Sequence, residues 1–512
     1  MLSRMMPVRN IVHLGRNERK LTEFTRHTMS NPSAFFGTVP PPQRLLRPLH
    51  VNEKKLFGPG PSNMPPMVVE GLTQPLLGHL HPEFLEIMDD VKSGIQYVFQ
   101  TNNPLTFAVS GSGHAGMECA IMNLLDEGET ILVVQNGVWG QRAADLSDRL
   151  GLNVRKLVVP EGEVISVEDF SEAVDNYRPQ VAFLCHGESS TGVAHPLERF
   201  GDICNAYDCL FLVDVVASLG GAPFHADDLK VDCVYSATQK VLNCPPGLAP
   251  ISFSEKALKK MLNRKKRVPS FYLDALELGN YWGCFDEPRR YHHTAPISLV
   301  YALREGLSIV AQEGIKNLVE RHQKNAKLFY DALKESWVWK PYVQNEACSE
   351  QELRFALFSC LMWFAFTLEV YYFNGAPFHA DDLKVDCVYS ATQKVLNCPP
   401  GLAPISFSEK ALKKMLNRKK RVPSFYLDAL ELGNYWGCFD EPRRYHHTAP
   451  ISLVYALREG LSIVAQEGIK NLVERHQKNA KLFYDALKEL GLEPYVQNEA
   501  CSEQELVFKF SI

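Results

Sequence analysis

The run YSATQKVLNCPPG occurs twice, at Tyr235–Gly247 and Tyr389–Gly401, so one lysine context is presented as both Lys240 and Lys394. A lysine amine can condense with an aldehyde and can then carry a proton. Several residues upstream of Lys240 could share a site with it. SGSGHAG, at Ser110–Gly116, places small residues ahead of a helix, where backbone amides can meet an anion. NGVWGQR, at Asn136–Arg142, offers Trp139 to cover a flat ring, and HGESSTG, at His186–Gly192, supplies hydroxyls at Ser189, Ser190 and Thr191. LFLVDVVASLGG puts Asp214 near the end of an almost wholly apolar strand, where a carboxylate is costly unless it meets a cation or a strong donor. Each of these has an ordinary structural role open to it: a polar turn, a core tryptophan, an ion pair, a solvated lysine.

The elements that must position them alternate. Apolar, β-branched runs at Thr130–Val134, Val181–Cys185, Leu210–Val216 and Val231–Ala237 read as strands. Helical patterns lie at Gly116–Leu125, Gly140–Leu150, Val167–Tyr177 and Pro196–Tyr207. This order predicts an α/β fold with a mostly parallel, doubly wound sheet. Ligands of such sheets sit at the carboxyl ends of the strands, where the residues above fall.

One chemistry uses the whole set. Pyridoxal phosphate needs a lysine for its aldehyde, a carboxylate to keep its ring nitrogen protonated, an aromatic face and an anion cradle. The chain closely resembles the alanine–glyoxylate (serine–pyruvate) group of class V, fold-type I pyridoxal phosphate aminotransferases. The resemblance runs from about Pro40 to Glu335 through GPGPSN (Gly58–Asn63), SGSGH, NGVWGQR, HGESSTG, VDVVASLGG, QK and YHHT (Tyr291–Thr294). It implies transfer of an amino group from alanine to glyoxylate, giving pyruvate and glycine, with serine or 3-hydroxykynurenine as other donors to weigh. It implies that Lys240 forms the Schiff base and moves the proton, that Asp214 pairs with the ring nitrogen, and that Trp139 stacks on the ring. Ser189, or its neighbour Ser190, would bond the phenolic oxygen. Ser112, Gly113, His114 and Gln239 would hold the phosphate, and Gly58 is a candidate substrate contact. Tyr291 and Thr294 would reach the phosphate of the other subunit of a homodimer. His292 and His293 receive no metal-binding role. A cysteine desulfurase is disfavoured because Gln239 precedes the lysine where that group has histidine. Val215 departs mildly from the small polar residue of many relatives.

The rest of the chain is unusual. Gly221–Glu335 recurs letter for letter as Gly375–Glu489, and Pro341–Leu353 recurs as Pro494–Leu506. Solenoid repeats are far shorter and drift. A duplication of this kind reads as a recent event or a mis-assembled gene. Residues 1–39 form an amino-terminal extension, 40–313 a large cofactor-binding domain, 314–353 the start of a small domain, 354–374 an insert, 375–506 the duplicate and 507–512 a tail. The insert's apolar run, Phe355–Leu368, is shorter than a bilayer span. The copy that holds Lys394 begins at Gly375, after the place where counterparts of Asp214, Trp139, HGESSTG and SGSGH would have to stand, which favours Lys240; the duplicate is expected to lie apart from the site. The resemblance implies a carboxylate-gripping arginine beyond the duplicated region, and none follows Arg475. Slow turnover, or an inactive cofactor-binding product, is the contrasting expectation.

Composition narrows the partners to small molecules. A net charge of −5 over 512 residues gives no footprint for nucleic acid, and no membrane association is expected. Thirteen cysteines without a C-x-x-C pair point to a reducing interior. Met1–Arg16, with Arg4, Arg9 and Arg16 and no acid, resembles a mitochondrial presequence; a peroxisomal address is the alternative.

Overall fold

The computed structural model describes residues 40–56, 58, 60–160, 162–335, 380–381, 383–489, 493–494 and 508–509. The amino-terminal extension and the apolar insert expected from sequence therefore lie outside the described residues.

Seven strands form the central sheet: β1 (Leu105–Ser110), β2 (Thr130–Gln135), β3 (Asn153–Val158), β4 (Val181–Cys185), β5 (Leu210–Asp214), β6 (Cys233–Tyr235) and β7 (Leu248–Phe253). Their spatial order is β1-β7-β6-β5-β4-β2-β3. β2, β3, β4, β5 and β6 pair in parallel, while β7 runs antiparallel to both β1 and β6. The strands read from sequence are β2, β4, β5 and β6. The alternating pattern did not reveal β1, β3 or β7. β3 carries Asn153, Arg155 and Lys156 and is largely exposed, as suits an edge strand protected by charge. β1 and β7 are buried along their whole length, because the sheet is covered on both faces.

The helices fall close to their expected places. They include α1 (Gly113–Leu124), α2 (Val138–Arg149), α3 (Val167–Tyr177) and α4 (Phe200–Ala206). Ser166 caps α3 by accepting a hydrogen bond from the Asp169 amide at 3.0 Å. Strand β5, Leu-Phe-Leu-Val-Asp, is buried throughout and stops at Asp214. It crosses the core between β4 and β6, so its last side chain is delivered to the ligand edge of the sheet. Lys240 lies beyond the end of β6, in a turn rather than on the strand itself.

The duplicate does not enter this sheet. Among the described residues, Cys387–Tyr389 and Ile405–Phe407 pair with each other in an antiparallel ribbon and with no other strand. In the first copy the same residues are β6 and part of β7, wedged between β5 and β1, and that slot is already filled. Tyr235 is consequently 0% exposed and its twin Tyr389 75%. The duplicate is not held away from the candidate site, contrary to the sequence expectation. Its segment from Ser424 to Pro450 packs against α1 and α2 of the first region.

Candidate functional site

Asp214 is 2% exposed, and its carboxyl is held from two sides. Tyr235 donates its hydroxyl to Oδ2 at 2.6 Å, and the Val216 amide donates to Oδ1 at 2.8 Å. Burial nevertheless outweighs these bonds and pushes the Asp214 carboxyl up to about 7. The charge of Lys240 acts on it in the opposite direction, which places the lysine in the same electrostatic neighbourhood. Gly60 keeps the lysine's flank open, since a Cβ there would lie 2.7 Å from Lys240 Cδ and 2.9 Å from the Gln239 carbonyl oxygen. Gly58, nearby in sequence, is exposed with nothing within 4 Å of an added Cβ.

The SGSGH turn sits over the same strand ends. A Cβ on Gly113 would lie 3.2 Å from Val216 Cγ2 and 3.3 Å from Ala237 Cβ, so the turn touches the loops after both Asp214 and β6. Ser112 is the residue before α1, whose first amides have no acceptor within the helix. Ser112 Oγ, His114 Nε2 and Gln239 Oε1 are all buried without a hydrogen-bond partner. Buried polar atoms are normally satisfied, so two orphans at the start of α1 and a third in the Lys240 loop indicate a polar ligand. Burial holds His114 well below the usual histidine range, so the ring is neutral.

Trp139 forms the side wall. Its Nε1 donates to Ser189 Oγ at 2.8 Å, and its ring meets His114 edge-on at 5.3 Å. Ser189 accepts that bond and retains its own hydrogen to donate. Ser190 is engaged elsewhere: its hydroxyl donates to Glu188 Oε1 at 2.5 Å, and its Oγ accepts from the Val138 amide. The geometry thus distinguishes two serines that the sequence left side by side.

Three groups escaped sequence reading. Glu188, fully buried within HGESSTG, accepts from the Trp139 amide at 3.0 Å and the Ser190 amide at 3.0 Å; burial raises its carboxyl pKa. That motif had been read for its hydroxyls alone, although an acid inside an otherwise small, uncharged turn was a usable signal. His186 hydrogen-bonds Ser218 at 2.8 Å, and burial lowers it to about 3. The third group comes from the duplicate. Tyr426 Oη lies 3.4 Å from the Ser112 amide, Phe425 lies beneath Arg142 with 4.1 Å from Cζ to its ring centroid, and the Tyr445 ring is 6.1 Å from His114.

Tyr291 is 56% exposed; it faces His79 at 5.0 Å and Thr294 Oγ1 at 3.4 Å. Lys394 is on that side of the molecule, where burial first and the Lys394 charge second lower His79. His292 and His293 bond each other at 2.7 Å, His292 the Phe271 carbonyl at 2.9 Å and His293 the Ser110 hydroxyl at 2.6 Å. Among the described residues no three metal-ligating side chains cluster. Among the same residues no helix is long and apolar enough to cross a membrane.

Comparison with known proteins agrees with this geometry. The family model described as aminotransferase class-V matches residues 56–358 and again 372–512. The chain is 48% identical over 295 residues to an alanine–glyoxylate aminotransferase of Callithrix jacchus, covering 58% of this chain and 71% of the relative. It is 47% identical over 290 residues to one of Drosophila melanogaster, covering 56% and 74%. The crystal structure of an alanine–glyoxylate aminotransferase from Nostoc sp. superposes with a TM-score of 0.59 at 42% identity, covering 62% of this chain and 82% of that one.

Proposed function

Because this chain belongs to the class-V aminotransferase family, we propose that it transfers the amino group of alanine to glyoxylate, releasing pyruvate and forming glycine. Pyridoxal phosphate is the cofactor of this family, and the residues present fit it. The observation that carries the reading is the buried Asp214 carboxyl sharing its surroundings with Lys240, whose loop and the start of α1 together hold three orphaned polar atoms. A carboxyl of this kind suits a cationic ring nitrogen, and a helix start with Ser112 and Gln239 suits a phosphate.

When bound, the cofactor supplies an aldehyde that condenses with amines and a ring that accepts electrons. The protein's part follows from its own atoms. Lys240 Nζ would hold the aldehyde and is the amine placed to take and return a proton. Asp214, kept from rotating by Tyr235 and Val216, would hold the ring nitrogen's positive charge at a fixed place. Trp139, pinned by Ser189 and Glu188, sets the plane in which a ring can lie. Ser189 would be free to donate its remaining hydrogen to the phenolic oxygen. Ser112, the amides of Gly113 and His114, and Gln239 would hold the phosphate.

The test is a single-turnover experiment on the purified chain loaded with pyridoxal phosphate. Alanine is expected to release one equivalent of pyruvate per site, and glyoxylate then to yield glycine. A loaded protein that shows no spectral response to alanine, while responding to serine or 3-hydroxykynurenine, would move the assignment to that donor. The basic segment Met1–Arg16 supports mitochondrial delivery; a reporter fused to residues 1–39 that stays diffuse or enters peroxisomes would refute that part.

A further inference from the structure

The duplicate repeats a basic stretch whose first copy is already bound to another part of the chain. Helix α5 (Glu255–Leu262) runs on into Arg264, Lys265, Lys266 and Arg267. Its duplicate, α6 (Glu409–Leu416), runs on into Arg418, Lys419, Lys420 and Arg421. In the first copy α5 packs on α1, and its Ala257 and Met261 are buried. The cations beyond it grip the end of α1 and the acidic turn that follows. Arg264 Nη1 donates to the Leu125 carbonyl at 2.7 Å and the Asn123 carbonyl at 3.1 Å, and its Nη2 pairs with Asp126 at 2.9 Å. The Lys265 amide donates to Asp126 at 3.1 Å, Lys266 donates to Glu127 at 2.9 Å, and Lys260 donates to Glu129 at 2.8 Å. Carbonyls at the end of a helix have no donor within it. A guanidinium that takes two of them together with a carboxylate recognises polypeptide, not charge alone.

The duplicate keeps the gripping geometry and lacks what is gripped. Ser408 caps α6 as Ser254 caps α5, and Asn417 donates to the Lys413 carbonyl at 2.8 Å as Asn263 does to that of Lys259. Arg264 Nε donates to the Lys266 carbonyl at 3.3 Å, and Arg418 Nε to that of Lys420 at 3.4 Å, so the second guanidinium is set by the same local bond. The second copy starts at Gly375 and brings no second α1 or acidic turn. Accordingly α6 has no buried residue, and Lys414, Arg418, Lys419 and Lys420 are exposed. The side chain of Arg264 is 9% exposed. Among the described residues, the ion pairs of this stretch belong to its other cations: Lys410 with Asp386, Lys413 with Glu409, and Arg421 with Asp148 at 4.0 Å. Glu127 is held below the usual carboxylate range by its bond to Lys266 first, and the charge of Lys420 only adds to that.

We propose that α6 and residues 414–421 form a docking site for a separate polypeptide, a helix whose C-terminal turn carries carboxylates in the arrangement of Asp126, Glu127 and Glu129. The twin supplies the complement in full: an apolar helix to cover Ala411 and Met415, terminal carbonyls for Arg418, and acids for Lys414 and Lys420. A second copy of this chain does not supply it, because its own α1 and acidic turn are already held by its α5. The two carbonyl contacts made by Arg264 favour a polypeptide over an anionic lipid surface, which offers charge without backbone.

The probe is a fluorescent peptide of residues 113–130, stapled to hold its helix and titrated against the full chain by anisotropy. The wild-type chain is expected to bind it. Arg418→Ala and Lys420→Ala, both on exposed side chains, are each expected to weaken binding about fivefold or more, as loss of hydrogen bonds from a charged donor does. Arg418→Lys keeps the charge without the planar fork and should lose most of what Arg418→Ala loses. A peptide carrying Asp126→Asn, Glu127→Gln and Glu129→Gln should bind at least about tenfold more weakly. The proposal is overturned if the wild-type chain does not bind the peptide, if the acidic and neutral peptides bind equally, or if Arg418→Ala binds as wild type does. Capture of phosphatidylserine vesicles that is lost in Arg418→Ala and is not displaced by the acidic peptide would assign the surface to a membrane and overturn it as well.

Discussion

Asp214→Asn separates the stability cost of the buried carboxyl from its service to the cofactor. A carboxyl raised from 3.8 to about 7 costs ~4 kcal/mol to ionise in the folded, cofactor-free protein. The folded state binds this proton more tightly than the unfolded chain does. Its contribution is therefore fully present below about pH 4 and is lost as pH rises through about 7. Asparagine has nothing to titrate, and it fits the same contacts: its Oδ1 can accept from Val216 and its amide can donate to Tyr235 Oη. The variant's stability relative to wild type should thus climb between pH 4 and 7, by an amount bounded by ~4 kcal/mol. Cofactor should reverse the ranking, because a ring cation stabilises the Asp214 carboxylate and finds no charge in the variant. Above pH 7, loading should raise the wild-type unfolding midpoint more than the variant's. The single-turnover rate with alanine should fall by a factor of about 10²–10³, the scale for losing one preorganised electrostatic partner. Urea midpoints from pH 4 to 8, with and without cofactor, plus the alanine rate, give the comparison. Parallel pH–stability curves for the two proteins, or near-equal alanine rates, would refute the reasoning.

Lys240→Ala should abolish the yellow chromophore, whereas Lys394→Ala should keep it; the reverse result would assign the site to the duplicate. Glu188→Gln should leave the fold intact but loosen Trp139, because one of the two carboxylate oxygens that anchor the Trp139 and Ser190 amides becomes a donor; a several-fold weaker affinity for pyridoxal and an altered Trp139 fluorescence are expected, and unchanged affinity would count against it. Arg149→Ala strands the buried Asp428 carboxylate, at a cost of about 3–5 kcal/mol to the contact between the first region and the duplicate. Limited proteolysis should then cut the duplicate first, and an unchanged digestion pattern would show that the ion pair does not hold it.

Much of the catalytic half was legible without coordinates. Strand ends and chemistry coincide in an α/β sheet, so the apolar run Leu210–Val213 already delivered Asp214, and SGSGH already marked a helix start. Local patterns carry this information because strand and helix periods, and the small residues of turns, are set by neighbours in the chain. β1 and β7 were not legible, since Thr106 and Ser110 interrupt the one and Pro250 and Ser252 the other, so neither shows the unbroken apolar run that marked β4 and β5. Glu188, Ser189 and Ser190 were visible as letters, but which hydroxyl is spent on the carboxylate and which faces Trp139 depends on loops that meet only in space.

The duplicate draws the boundary most clearly. Sequence alone determined that two stretches are identical and that the second begins after the places where counterparts of Asp214, Trp139 and the SGSGH turn would stand. It could not assign them different environments, because every local preference is the same in both. Tertiary structure decided that Tyr235 is buried against Asp214 while Tyr389 faces solvent, and that Phe425 is covered while Phe271 is open. One sheet has one slot between β5 and β7. The copy adjacent in chain to β5 fills it, and the other is left to cover the surface that the first one offers.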